Sequence, residues 1–252
     1  LKLSLLIPVY NEAGHLDRFF AGLTQIKFKN DVEFVVVDDC SKDTSWEIIE
    51  RWRAKLPAGT MLTHKQPVNQ GKGAALHQAI AMATGTVIAV QDADFEYDPN
   101  DIDKLVLPIA EGKADVVYGS RFRRDSPQVH RTFHYLVNRI LTLLSNLLSG
   151  LYVSDMETCY KVFRADILKA LRLETKRFGF EPEVTAKIAK LKVRVQEFPV
   201  SYFPRSYLDG KKISWKDGVA ALWFIVKFNL KPLDPETARA LPQLVPGSRQ
   251  WL

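Results

Sequence analysis

Gly85-Thr86-Val87-Ile88-Ala89-Val90-Gln91-Asp92-Ala93-Asp94-Phe95-Glu96 is the stretch whose reading decides the fold. Its first half is apolar, β-branched and preceded by glycine, which predicts a buried strand. Its second half sets two carboxylates two residues apart where that strand runs out. In a fully extended chain they would face opposite ways. A turn at the strand end lets both reach one ion. Open α/β sheets bind ligands beyond the carboxyl ends of their strands. An Asp-x-Asp at such an end suits Mg²⁺ or Mn²⁺ shared with a substrate diphosphate, because both ions take oxygen ligands. On its own the tripeptide is better read as a solvated acidic turn before Pro99, and the strand in front of it and the other motifs reverse that reading.

Toward the N-terminus, Leu3 to Ile7 reads as a strand stopped by Pro8, and Leu16, Phe19, Phe20 and Leu23 recur at helical spacing. Val32 to Val37 is a second strand ending in Asp38-Asp39-Cys40-Ser41. Ser41, Asp43 or Thr44 can cap the helix that carries Trp46, Ile49 and Trp52. A short strand at Met61 follows, and Asn69-Gln70-Gly71-Lys72-Gly73 opens another helix. Toward the C-terminus come a helix from Asp101 and a strand from Asp115 to Gly119. This alternation predicts an α/β fold, a three-layer sandwich around a mostly parallel sheet.

Beyond Arg121 the pattern changes. A basic loop precedes a long apolar helix from Phe133 to Leu148, and Cys159 to Phe163 reads as an edge strand. A helix from Phe180 and a strand from Val193 follow, then a polar, basic stretch from Tyr202. The expected organisation is one catalytic domain over residues 1–212, an amphipathic helix over 213–230 suited to a membrane interface, and a proline-rich tail over 231–252 left without structure.

The chain has 252 residues, 46% hydrophobic, enough for a substantial core. Its 35 basic residues outnumber 29 acidic ones, and a net charge of +6 suits an anionic partner without choosing one. The aromatics do not interleave with the basic residues in a nucleic-acid motif, so no nucleic-acid partner is expected. The 2 cysteines, Cys40 and Cys159, lack zinc spacing, and a reduced, cytoplasmic setting is the natural reading. The chain shows no signal-peptide pattern and no apolar run near the ~18 residues of a membrane span.

Three strand ends converge on polar groups: Tyr10-Asn11-Glu12, Asp38-Asp39 and Asp92-Ala93-Asp94. In a parallel sheet these ends share one edge. Tyr10 suits a base or ribose. Asp38 or Asp39 suits base N–H groups, or else caps the following helix. Gly71-Lys72-Gly73 at a helix start suits an anion through its N–H groups and cation, or else forms a tight turn. Arg121, Arg123, Arg124, Arg131, Arg205, Lys211 and Lys212 form a basic set that suits phosphates, which arginine grips bidentately, or else an ordinary solvated surface. His130 and His134 sit four apart without the glutamate of a zinc protease and are expected to be structural. Cys159 is expected in the core.

Ile7-Pro8-Val9-Tyr10-Asn11-Glu12, Val37-Asp38-Asp39-Cys40-Ser41, Asn69-Gln70-Gly71-Lys72-Gly73 and Asp92-Ala93-Asp94 occur in this order. Together they resemble the family 2 glycosyltransferases, whose fold is the GT-A nucleotide-diphospho-sugar transferase type. Gly119-Ser120-Arg121, the segment from Asp155 to Lys161, and Gly210-Lys211-Lys212-Ile213 are similar to the dolichol- and polyprenol-phosphate mannosyl- and glucosyltransferases. The resemblance implies that Pro8, Tyr10, Glu12, Asp38 and Asp39 hold the nucleoside of the donor, with Lys72, Asp92 and Ala93 completing the donor site. It implies a metal on Asp92 and Asp94, with Glu96 as a further ligand, and an acceptor phosphate on Arg121, Arg131 and Arg205. Asp92, Asp94 and Arg121 would carry catalysis.

The implied reaction is inverting transfer of a hexose from a GDP- or UDP-type sugar to a polyprenyl phosphate, on the cytoplasmic face of a membrane. Contact with that membrane would be peripheral or supplied by a separate membrane protein. A family 2 enzyme acting on a hydroxyl would need a general base, for which Glu181 and Glu183 are candidates. A nucleotide-sugar or anionic-lipid binding module without turnover is the reading from another class.

Overall fold

Five consecutive residues, Leu3, Ser4, Leu5, Leu6 and Ile7, are fully excluded from solvent. Successive side chains of a strand point to opposite faces, so both faces of this strand are covered. The sheet is therefore the middle of three layers, as sheets with parallel strands require. The computed structural model describes residues 1–123, 132–177, 179–204 and 215–244.

The first half runs β1 (Lys2–Val9), α1 (Ala13–Leu23), β2 (Asp31–Asp38), α2 (Ser45–Lys55), β3 (Met61–Lys65), α3 (Lys72–Met82) and β4 (Val87–Val90). All its strand pairs are parallel: β1 with β2, β1 with β4, and β2 with β3. The second half runs α4 (Ile102–Ala110), β5 (Val116–Ser120), α5 (Thr132–Ser149), β6 (Lys161–Arg164), α6 (Ala165–Ala170), α7 (Phe180–Leu191), β7 (Val195–Pro199), α8 (Trp215–Leu230) and α9 (Pro235–Leu244). The order across the sheet is β3-β2-β1-β4-β6-β5-β7.

Three expectations are corrected. The strand read as an edge is interior: β6 lies between β4 and β5, antiparallel to both. Lys161, within this strand, is wholly buried. Its ammonium donates to the carbonyls of Met156, at 2.8 Å, and Thr158. Pro8 does not stop β1. Gln91 N–H donates to Leu6 O on the β4 side, and Asp39 N–H donates to Val9 O on the β2 side. Pro8 alternates with Leu6 and so faces β4, which has already ended, where its missing donor costs nothing.

The tail is not unstructured throughout. Pro235 opens α9, a position where proline's lost N–H is unneeded. Asp234 accepts from the N–H of Glu236 at 3.0 Å, and Thr237 donates its hydroxyl to Ala170 O at 2.8 Å.

The far end of the sheet is held by a buried carboxylate. Glu33 accepts from Ser4 Oγ, Thr84 N and Thr84 Oγ1, each at 2.6 Å, and pairs with Lys2. Burial would raise its carboxyl, but these partners hold it down at about 2. The opposite end, where β1, β2 and β4 terminate, carries the predicted site residues.

Candidate active site

The loops after β1 and β2 are laced together. Asn11 N–H donates to Ser41 Oγ and Glu12 N–H to Ser45 Oγ, both at 2.9 Å, while Lys42 N–H donates to Asn11 Oδ1 at 2.8 Å. Asn11 and Cys40 take left-handed backbone, φ 52° and 60°, the sharp reversals that bring the two loops together. Asp38 accepts from the N–H and hydroxyl of Ser41. Burial pushes its carboxyl up against the lowering effect of those bonds. Asp39 accepts from Asn69 Nδ2 at 2.7 Å, Gln70 N at 2.9 Å and Gly71 N at 2.6 Å. Neither aspartate caps α2; Asp43 accepts from Ser45 N instead, at 3.0 Å. Asp39 instead shapes the loop that leads into α3. Pro8, Tyr10 and Glu12 lie half-buried at the same edge.

That loop is gripped from its other side. Gly71 has φ 100°, and a Cβ there would stand 2.7 Å from Lys176 O. A Cβ on Gly73 would run into the carbonyl oxygen of Thr175. Ala74 N–H donates to Lys176 O at 2.8 Å. Residues 175–177 thus cover the start of α3. The glycines serve close backbone packing, which matches the tight-turn reading of this motif.

The lysine between the glycines has a separate task. Its ammonium lies 3.0 Å from Asp92 Oδ2 and 3.2 Å from Glu181 Oε1. Burial alone would lower the Lys72 ammonium, but Asp92, Cys159 and Glu181 outweigh it and hold it well above its ordinary value. Lys72 is therefore a fixed cation between two carboxylates. The sequence showed a cation beside glycines but not its partners, since Glu181 lies on α7.

After β4 the chain turns at Phe95, φ 58°, whose ring meets Phe19 edge-on at 5.8 Å. Asp94 Oδ1 accepts from Glu96 N–H at 3.1 Å. Glu96 is engaged elsewhere: its carboxylate accepts from Tyr202 at 3.0 Å. Among the described residues no three His, Cys, Asp or Glu groups converge as a metal cage. The three-ligand set of Asp92, Asp94 and Glu96 is thus not gathered in this arrangement. An Asp92 carboxylate still 22% exposed at a strand end fits the other way Mg²⁺ and Mn²⁺ are held, by one or two carboxylates plus substrate phosphates.

Arg121 is not turned to solvent. Its guanidinium forms a fork on Asp155, with Nε and Nη2 each 2.7 Å from a carboxylate oxygen. Asp155 is fully buried and Arg121 is 11% exposed. Burial would lower the guanidinium, and Asp155 raises it well above its ordinary value. Arg121 also lies over the Tyr202 ring, 5.2 Å from its centre. Arg124, Arg131, Arg205, Lys211 and Lys212 lie outside the described residues, as does His130.

The loop from Ser154 to Tyr160 was noted in the sequence only as part of a resemblance, and it proves to be a floor of charge. Glu197 accepts the N–H groups of Ser154 and Asp155 at 2.8 and 3.1 Å. Tyr97 Oη accepts from Cys159 N at 3.2 Å, and Tyr160 donates to Gln91. Glu157 has one carboxylate oxygen sealed from solvent without a protein partner. Burial and then the nearby Glu181 push its carboxyl up to about 7. Burial lowers the Lys161 ammonium, against the pull of Glu181 and Glu157. Asp, Glu and Lys crowded just before an apolar strand were the available signal. Cys159 is buried, as expected.

The two candidate bases separate. Glu183 is fully buried and accepts from Glu174 N at 2.7 Å, Thr175 N at 2.8 Å and Lys187 Nζ at 2.6 Å. Its role is to hold the 174–175 loop. Glu181 stands at Lys72, 12% exposed.

A sheet of this strand order, with acidic groups at the ends of β2 and β4, defines the GT-A class of glycosyltransferase fold. S. aureus TarS, crystallised with UDP-GlcNAc, matches 97% of this chain and 70% of its own, with TM-score 0.60 and 21% identity. Glucosyl-3-phosphoglycerate synthase from Mycobacterium tuberculosis, crystallised with Mn²⁺, UDP and phosphoglyceric acid, matches 93% and 80%, with TM-score 0.66 and 16% identity. The family model described as glycosyl transferase family 2 matches residues 4–172, and the chain belongs to that family. It is an enzyme of sugar transfer.

Among its relatives are a dolichyl-phosphate β-glucosyltransferase of Trichomonas vaginalis and an undecaprenyl-phosphate mannosyltransferase of Micrococcus luteus. The first is 30% identical over 231 residues, 83% of this chain and 67% of the relative. The second is 27% identical over 218 residues, 84% and 87%.

Proposed function

We propose that the chain transfers a hexose from a nucleoside diphosphate sugar to a polyprenyl phosphate, with inversion, at the cytoplasmic face of a membrane. The observation that carries the donor half is Asp92 at the end of β4, held against the fixed cation Lys72. A diphosphate needs positive charge as it leaves, and Lys72 supplies one at the strand end where such ligands bind. Asp92 and Asp94 would hold Mg²⁺ or Mn²⁺, which when bound adds further positive charge to the leaving diphosphate. Asp39 keeps Lys72 in place through the 69–71 loop. Pro8, Tyr10, Glu12, Asp38 and Ala93 would line the donor's nucleoside and diphosphate.

The acceptor half is supported by the names of the relatives. A phosphate monoester has a second pKa of about 6 and is mostly ionised at neutral pH, so it attacks without a strong base. Arg121 would contribute positive charge from its place on Asp155, and Arg131 and Arg205 would meet the acceptor phosphate directly.

The test is a screen of GDP- and UDP-sugars against a short-chain polyprenyl phosphate, with products identified by mass. Transfer that is lost in Asp92→Asn and in chelator is the expected result. No product with any donor sinks the reading. One observation favours a second reading: Glu181 stands in the site, where it would serve as base for a hydroxyl acceptor. Glu181→Gln would then cost about 10²–10⁴-fold in rate, whereas transfer to phosphate would survive it far better.

A further inference from the structure

The sheet ends on one side at β3, and the two faces of that strand have different neighbours. Thr63 donates its hydroxyl to Glu50 of α2 at 2.8 Å, and the Lys65 ammonium lies over the ring of Trp46 of α2, 5.7 Å from its centre. Successive strand residues point to opposite faces, so His64, and Gln66 just after the strand, turn to the face that carries α3. There His64, Gln66, Gln70, His77, Gln78 and Lys176 line a cavity of about 360 Å³, the size of a small-ligand site. None of the residues assigned to the donor lines it.

The polar groups of this cavity are ordered by a relay that runs one way. The Lys176 ammonium can only donate, and it donates to Gln70 Oε1 at 3.3 Å. The other end of the Gln70 amide is therefore its NH₂ group, which donates to Gln66 Oε1 at 2.8 Å. What Gln66 has left is its own NH₂ group. That Nε2, on a residue only 5% exposed, has no protein partner. His77 Nε2 is likewise sealed without a protein partner, and an imidazole can carry its proton there. A buried donor left without an acceptor costs free energy. Two such groups beside the charge of Lys176 call for a negatively charged acceptor. His64 and His77 do not make a metal site here. An ammonium and an amide NH₂ repel a cation, and among the described residues no three His, Cys, Asp or Glu groups converge.

We propose that this cavity binds a small oxyanion, a phosphate or a carboxylate group, through Lys176, Gln66 and His77. Lys176 supplies the charge, and hydrogen bonds to an ionised group are the strong ones. The cavity is tied to the donor edge at Gln70, whose N–H donates to Asp39 at 2.9 Å while its side chain belongs to the relay.

The experiment is a titration of the full chain with sodium phosphate, and separately with sodium acetate, at fixed pH and with sodium chloride holding the ionic strength constant. Histidine ring signals are followed by NMR, with His77 assigned from a His77→Asn variant. Neither sugar donor nor acceptor is present, so the result does not depend on which of them the enzyme uses. The His77 signal is expected to shift saturably with at least one anion, and the arm that shifts it tells a phosphate ligand from a carboxylate. Gln66→Leu and Lys176→Gln should each weaken that binding about tenfold or more, with thermal melts showing both folded. Asp92→Asn, which alters the donor site, should leave it unchanged. If Gln66→Leu does not fold, Lys176→Gln decides. Wild type that shows no saturable shift at tens of millimolar of either anion overturns the proposal and leaves the cavity to water. So does a shift that survives undiminished in the folded variants. So does one that Asp92→Asn abolishes, which would assign the anion to the donor edge.

Discussion

The two halves of the sheet hold their ligand-facing ends by different chemistry. At the ends of β1 and β2, neutral hydroxyls and backbone N–H groups close the loops: Ser41 on Asp38 and Asn11, Ser45 on Glu12. Beyond β4, charges sealed from water do that work: Asp155 with Arg121, Lys161 near Glu157, Glu183 with Lys187. A neutral hydrogen bond contributes about 1 kcal/mol net. Removing one partner of a buried ion pair leaves an uncompensated charge and costs several times more. The first half should therefore fail gradually under substitution and the second abruptly.

The hardest blow should be Asp155→Ala. It strands the Arg121 guanidinium and removes the acceptor of the Arg121 N–H, with an expected loss of about 3–5 kcal/mol in urea unfolding. A loss below 1 kcal/mol would mean that the two halves are not built differently. Next comes Gly73→Ala, at the seam between them. The new methyl meets Thr175 O, and overpacking of this kind costs about 1–3 kcal/mol. Activity should fall with stability, because the displaced turn carries Lys72. A variant of full stability and full activity would show that the seam yields freely.

A smaller, pH-dependent effect belongs to Glu157. Its folded carboxyl titrates at about 7 against an ordinary 4.5. Below about pH 4.5 both folded and unfolded chains keep the proton. As pH rises from there through 7, the unfolded chain gives it up first, so stability falls across that window. Glu157→Gln should stabilise by about 1–2 kcal/mol at pH 8, allowing for the solvent its side chain still touches, and by nothing at pH 4. Equal melting shifts at both pH values would remove burial as the cause. Ser41→Ala should cost a comparable, small amount, about 1–2 kcal/mol, since Asp38 keeps the Ser41 N–H while the Asn11 N–H loses its acceptor. A loss matching that of Asp155→Ala would erase the contrast.

The same division separates what the sequence disclosed from what it hid. Val32 to Val37 and Val87 to Val90 are apolar runs bounded by turn residues, and periodicity finds them. The acids at their ends mark the ligand edge without any knowledge of partners. In the second half each residue takes its meaning from a distant one. Arg121 read as a phosphate ligand because nothing local tied it to Asp155. Lys161 sits inside the sheet because it finds acceptors, and those come from a loop whose shape no pattern reports. Glu181 and Glu183 looked alike in the chain; only the position of residues 174–175 separates them.

The inserted strand β6 carries a consequence for how the chain is made. The first four strands pair among themselves as they leave the ribosome, but β5 finds no neighbour in β4, because β6 must come between them. Until α5 and the loop from Leu151 to Tyr160 have been synthesised, β4 keeps an open edge and β5 has nothing to join. Unpaired edges of this kind invite contact with other chains. A nascent chain halted anywhere between β5 and β6 should thus be the form that most needs a chaperone, and lengthening the α5 segment would prolong that exposure while altering the finished fold little.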